Sequence, residues 1–249
     1  MRKRAFTLAE LLIAMTIIGI VALLLVPVVQ YTQEKALAIS TKHFHSMMSQ
    51  AIGHYMVDND VKSLYDTKMS AKNGDYEEYI NAINGINEFM FKYLNVAKVC
   101  SYDNRFDCFS ERIQNINEEE GEFFVKHNGE TDELKIYVLQ NGNVISLIPC
   151  DIDSPAEIQV DINGKRGPNI VGRDIWQMSI YADGVISEKL HRLLMKKDSA
   201  SDPSVLKEIR DKILDEQYKR CTGDDGSDIW KYGAGCFSVF EANKFKFDY

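Results

Sequence analysis

From Leu11 to Val29 the chain runs for nineteen residues without a charge, directly after Arg2, Lys3, Arg4 and a lone carboxylate, Glu10. A helix of that length rises roughly 28 Å, close to a hydrocarbon core of about 30 Å. The basic end predicts a cytoplasmic N-terminus. Apolar positions continue at helical spacing beyond Pro27, at Leu37, Phe44, Met48, Ala51, Ile52 and Tyr55. One long helix is therefore predicted from Phe6 to about Val57, bent near Pro27, where one helix hydrogen bond is lost. Its first half is uniformly apolar and suits lipid. Its second half offers a single apolar face to a folded domain.

The remaining pattern predicts a helix and then strands. Tyr76, Tyr79, Ile80, Ile83, Ile86, Met90 and Leu94 mark the buried face of a second helix over 76–94, which Gly85 weakens by about 1 kcal/mol relative to Ala. Residues 95–120 read as loop. Period-two apolar runs follow at 122–125, 135–139, 144–148, 158–160 and 175–181. Asn141-Gly142 is a strong hairpin signal between the second and third runs. Asp183-Gly184 turns the last run towards Val185-Ile186. Residues 188–218 read as polar and helical, with Asp202-Pro203 as cap and first turn and Leu206, Ile209 and Ile213 as a narrow apolar stripe. A short helix near 236–242 precedes Phe245, Phe247 and Tyr249, which alternate as a last strand. Strands with short links after a long helix predict an α+β fold, an antiparallel sheet packed on that helix.

Glu10 changes the meaning of the apolar run. A plain membrane anchor leaves it unexplained, because a carboxylate carried to the bilayer centre costs on the order of 2.5–3.5 kcal/mol. A secretory signal fits poorly too. Ala36-Leu37-Ala38 has the right form for its cleavage site, but it lies past the charged Glu34-Lys35 and too far from the apolar end. A buried core helix is disfavoured by nineteen uncharged residues. If the chain is cut after Ala5, the new amino group on Phe6 lies one helical turn from Glu10, or meets the Glu10 of a neighbouring subunit.

The segment Arg4-Ala5-Phe6-Thr7-Leu8-Ala9-Glu10-Leu11-Leu12 resembles the N-terminal signal of type IV prepilins and type II secretion pseudopilins. The resemblance implies cleavage before Phe6 and methylation of its amine by a membrane-embedded prepilin peptidase and methyltransferase. It implies assembly through Glu10 and loosening of the helix at Gly19 and Pro27. The chain departs from the family at Ala5, where the family nearly always has Gly. The implied organisation is a leader at 1–5, a membrane and assembly helix at 6–29, and a pilin-like globular domain at 30–249. The implied partners are the processing enzyme, other pilin or pseudopilin subunits and an inner-membrane assembly platform. The implied location is the inner membrane, crossed once, with the C-terminal domain in the periplasm or outside the cell.

Composition narrows this further. The 249-residue chain has net charge −8, and loss of the three leader cations takes it to −11, which argues against nucleic-acid partners. The five cysteines include no C-x-x-C pair, so a zinc or thioredoxin-like site is disfavoured. Paired by proximity, Cys100 and Cys108 would close a short loop and Cys221 and Cys236 a longer one. Five cysteines permit other pairings. Cys150 is left over and reads as a small buried residue. Pilins of the family often carry a C-terminal loop bounded by a disulfide.

Candidate chemistry is sparse. Residues 161–174 form the densest turn sequence and resemble a loop, DxNGxxGPNxxGxD, of some pilin-like proteins. Asp161, Asn163, Asn169 and Asp174 offer oxygens of the kind calcium prefers. The competing reading is a tight turn held by side-chain bonds to backbone. Asp224-Asp225-Gly226-Ser227-Asp228 reads as an acidic solvent loop. The histidines at 43, 45, 54, 127 and 191 show no ligand spacing, and His43 and His45 read as surface residues of the long helix. Trp176 and Trp230 read as packing residues. No nucleotide-binding or hydrolase motif occurs, which points away from an enzyme. Two functions from different classes remain: a filament subunit, or a single-pass membrane-anchored extracytoplasmic binding protein.

Overall fold

A computed structural model describes residues 7–71, 76–101, 103–117, 119–121, 134–149, 156–188, 203–224, 226 and 233–247. The expectations for Ala5 and Phe6, the 122–125 run, Cys150, His127, His191, Asp202, most of the 224–228 turn, Trp230 and Tyr249 fall outside these residues. Helix α1 (Leu8–Asp58) is followed by α2 (Tyr76–Tyr93) and the strands β1 (Val96–Ser101), β2 (Lys135–Leu139), β3 (Val144–Pro149), β4 (Ala156–Asp161), β5 (Ile175–Ile180) and β6 (Ile186–Ser187). Helices α3 (Pro203–Thr222) and α4 (Cys236–Ala242) close the chain. The fold is α+β with a pilin-like layout: a long N-terminal helix precedes one antiparallel six-stranded sheet in the order β1-β2-β3-β4-β5-β6.

Helix α1 runs unbroken through Gly19 and Pro27. Its second half seats Phe44, Met48, Ala51, Ile52 and Tyr55 in the main core. There they meet one face of the sheet, including Tyr137, Ile145, Val160 and Trp176. The register fixes this face, since Ile145 pairs with Val160 and Val160 with Trp176 across three strands. Trp176 donates its indole N–H to Thr41 Oγ1 at 3.1 Å, so the buried polar atom of the largest core side chain is satisfied by α1 itself. Ile136, Val144 and Ile175 alternate to the opposite face. There Phe109, Ile113 and the Cys100–Cys108 disulfide cover them.

Several expectations change. Residues 96–101 are a strand, not loop; its side chains are mostly exposed because it lies at the sheet edge. Tyr76 is exposed, and Ala82 and Phe89 are buried on α2 instead. Gly85 is required where it stands, because a Cβ there would overlap the Lys68 backbone carbonyl. His45 is half-buried, 2.9 Å from the Ile186 carbonyl and stacked on Phe237. The tail at 244–247 is not a strand. Lys244 and Phe245 take positive φ, and Phe245 and Phe247 fold back onto the core instead, within ring-contact distance of Phe240.

Candidate functional site

The N-terminus of α1 carries the first candidate. Thr7 takes an extended conformation as N-cap, and its hydroxyl accepts the Glu10 N–H at 3.3 Å. Glu10 Oε2 in turn accepts the Thr7 N–H and hydroxyl, both at 2.9 Å. This reciprocal capping box satisfies two of the helix's free N–H groups. Thr7 was missed in the sequence reading, although Thr-x-x-Glu before an apolar run is itself the signal for it. Glu10 therefore has an intrachain partner before any neighbour arrives.

Beyond that cap the helix has nothing to pack on. Leu11, Ile13, Ile17, Leu24 and Val28 are each more than half exposed. Among the described residues α1 is the one helix long and apolar enough to cross a membrane, and none of its most apolar stretch is buried. Gly19 is open on all sides. Burying a Leu, Ile or Val side chain is worth about 1.5–3 kcal/mol, so this surface calls for lipid or other helices.

The second candidate is the 161–174 loop. Asp174 organises it, accepting the Asn169 N–H at 2.8 Å and the Ile170 N–H at 2.7 Å with its two oxygens. Asp161 Oδ1 accepts the Asn163 N–H at 3.1 Å, and Asn163 Nδ2 donates to the Gly167 carbonyl at 3.0 Å. Gly164 and Asn169 take positive φ, as the turn sequence requires. Both carboxylates are buried. Burial, with the charge of Asp174 adding to it, pushes Asp161 up to about 8. Burial also raises Asp174, against the pull of its backbone donors.

The loop fits a cation in one respect. Asp161 Oδ2, Asn163 Oδ1 and Asn169 Oδ1 are buried oxygens with no hydrogen-bond partner among the described residues. No three His, Cys, Asp or Glu side chains come together among the described residues. The donor set is thus two carboxylates plus amide oxygens, hard ligands that suit calcium rather than a transition metal. The loop is anchored twice near its C-terminal end. Arg173 pairs with Glu34 of α1, and Gly172 lies against Cys236, where a Cβ would approach the sulfur to 2.9 Å. Cys236 is bonded to Cys221, which ties α4 to α3.

Glu188 had no sequence signal. It is buried just after β6 and accepts the N–H groups of Gly235 at 2.6 Å and Ser238 at 2.8 Å, so it caps α4. Burial pushes it up to about 7, with those donors and Arg220 pulling it back.

A helix that is apolar and unburied in its first half and continuous with an α+β domain is consistent with a pilin-like fold. Residues 1–26 match the family model of the prokaryotic N-terminal methylation motif. That match supports a type IV prepilin- or pseudopilin-like protein. Neither a search of curated proteins nor one of solved structures finds a match to this chain.

Proposed function

We propose that this chain is a structural subunit of a type IV pilus or type II secretion pseudopilus. It is inserted in the inner membrane, cut between Ala5 and Phe6, methylated on Phe6, and assembled with other subunits by a membrane platform. The leader is 1–5, the assembly helix 6–29 and the exported domain 30–249. The observation that carries this reading is the division of α1: one half is wholly exposed and apolar, the other is built into the core. Glu10 then exchanges its Thr7 partner for the Phe6 amine of a neighbour, and Gly19 and Pro27 mark where the helix yields on assembly. Glu10→Ala is expected to leave cleavage intact and abolish filament formation. Normal filaments from that variant would overturn the role of Glu10. A membrane-anchored binding protein is the rival. Mass spectrometry of the mature N-terminus decides, since a chain that retains Arg2 to Arg4 supports the rival.

A calcium ion on Asp161, Asn163, Asn169 and Asp174 is a second element of the proposal, supported by the three unpartnered oxygens. The ion would supply a positive charge between two buried carboxylates and so brace the loop. Calcium at about 1 mM, a level suited to extracellular sites, is expected to raise Tm. The rise should vanish in Asp161→Asn. An unchanged wild-type Tm and no heat of binding in calorimetry would exclude the ion.

A further inference from the structure

We propose that the face of the domain beside the membrane span binds the anionic phospholipid headgroups of the bilayer that holds α1. This rests on the membrane reading of residues 11–29. Gln30 is the first polar residue past that span, and at about 1.5 Å per residue Lys35 stands roughly 9 Å beyond its end. The headgroup zone occupies about 5–8 Å on each side of the hydrocarbon. Residues 30–34 are therefore at headgroup level, and Lys35 stands at its outer edge, within reach of it through its long side chain. Tyr31, 58% exposed, sits there as interfacial aromatics do, with Lys35 Nζ 4.3 Å over its ring.

Two segments of the domain reach this part of α1 in adjoining grooves that share Glu34. Gln30 and Gln33 share a groove of about 750 Å³ with Gly167, Pro168 and Arg173 of the loop. In the adjoining groove Tyr31 and Lys35 meet Lys246 and Phe247 of the tail, whose Phe247 ring lies under Arg173. Each segment brings exposed cations: Lys165 and Arg166 immediately before Gly167, and Lys246. Among the described residues none of Lys35, Lys165, Arg166 and Lys246 has an acidic partner, whereas Arg173 is neutralised by Glu34. Asp161 and Asp174 of the same loop are buried and turned to its own backbone N–H groups. Glu111 and Glu120 share a groove with Pro168 and have Arg112 beside them. Four unpaired cations gathered around one helix run against the chain's net charge of −8. Their common level, next to a span that fixes the bilayer in place, is what selects lipid headgroups as the occupant. Phosphate groups of anionic lipids attract such juxtamembrane cations by about fivefold in affinity each, or about 1 kcal/mol.

The test uses the full chain in phosphatidylcholine vesicles, with or without about 30% phosphatidylglycerol. Amide hydrogen exchange of residues 163–170 and 244–247 is read by mass spectrometry. In the anionic vesicles exchange is expected to slow by at least about fivefold. The slowing should disappear in about 0.5 M NaCl. It should also be absent in Lys165→Glu/Arg166→Glu/Lys246→Glu and reduced in the triple Gln variant, with the melting curves of both unchanged in neutral vesicles. Equal exchange in the two vesicles overturns the proposal. So does slowing that follows the protein-to-lipid ratio, which means a second copy covers the face, or slowing by inorganic phosphate in neutral vesicles, which means a free-anion site. Flotation with neutral vesicles separates the premise: a chain that does not float overturns the membrane reading itself.

Discussion

Glu10 already has a role in the single chain, apart from the one proposed for it in assembly. In the single chain it closes a capping box with Thr7 and so supports the helix end. In the proposed assembly, a neighbour's Phe6 amine would have to displace those donors with a charge-assisted bond, so assembly would exchange partners rather than rescue an orphan. Gly85 makes a second residue-scale point. Helix propensity alone says Ala there stabilises by about 1 kcal/mol. The close Lys68 backbone reverses the sign, because inserted atoms in a filled space cost about 1–3 kcal/mol. Gly85→Ala is expected to lower stability by up to about 2 kcal/mol and Tm by up to roughly 8 °C in a thermal melt. A raised Tm would show that the backbone contact relaxes freely. At this scale the 161–174 loop was legible in sequence, because Asn, Asp, Gly and Pro announce turn geometry directly. Glu188 was not, since nothing beside it in the chain marks the helix that it caps.

At the scale of elements, the Glu188 cap joins β6 to α4, and the Cys221–Cys236 bond joins α4 to α3. The cap has a pH signature. An ordinary Glu titrates near 4.5, and burial raises Glu188 to about 7. The native state then holds the proton more tightly than the unfolded chain does. The stability from this group is complete below about 4.5 and is lost as pH rises through about 7, by roughly 3 kcal/mol. Denaturant melts of wild type and Glu188→Gln across this window should converge in slope at high pH and differ most between pH values of about 4.5 and 7. Parallel stability profiles would show that Glu188 titrates normally. Element legibility followed burial. The β2–β3 hairpin was readable because Asn141-Gly142 sits between strands alternating to two covered faces. Strand β1 was not, because at an edge only Cys100 is buried and the period is lost. The tail misled for the opposite reason. Phe245 and Phe247 alternate as a strand would, but they reach the aromatic cluster of Trp176 and Phe240 through positive-φ turns rather than by pairing.

For the whole molecule, α1 divides labour at about residue 30, and the two halves should be separable. Nothing from Leu8 to Val29 enters any core cluster, whereas Thr41, Phe44 and Met48 are fully buried and Trp176 depends on Thr41 for its hydrogen bond. Removing residues 1–29 therefore costs the domain no buried side chain among the described residues and keeps the Arg173–Glu34 pair. The 30–249 fragment is expected to be monomeric in sedimentation and to melt cooperatively within a few degrees of the detergent-solubilised full chain. It should form no filaments, since the apolar surface that drives association is gone. Cutting instead after residue 42 removes Thr41 as well. It strands the Trp176 N–H and exposes the core below it, a loss of at least about 1–3 kcal/mol. The pair of truncations thus brackets the boundary: a stable 30–249 fragment beside a destabilised 43–249 fragment places it between residues 30 and 42. A 30–249 fragment that fails to melt cooperatively would mean that the exposed half of α1 supports the domain through contacts made only in the membrane or filament.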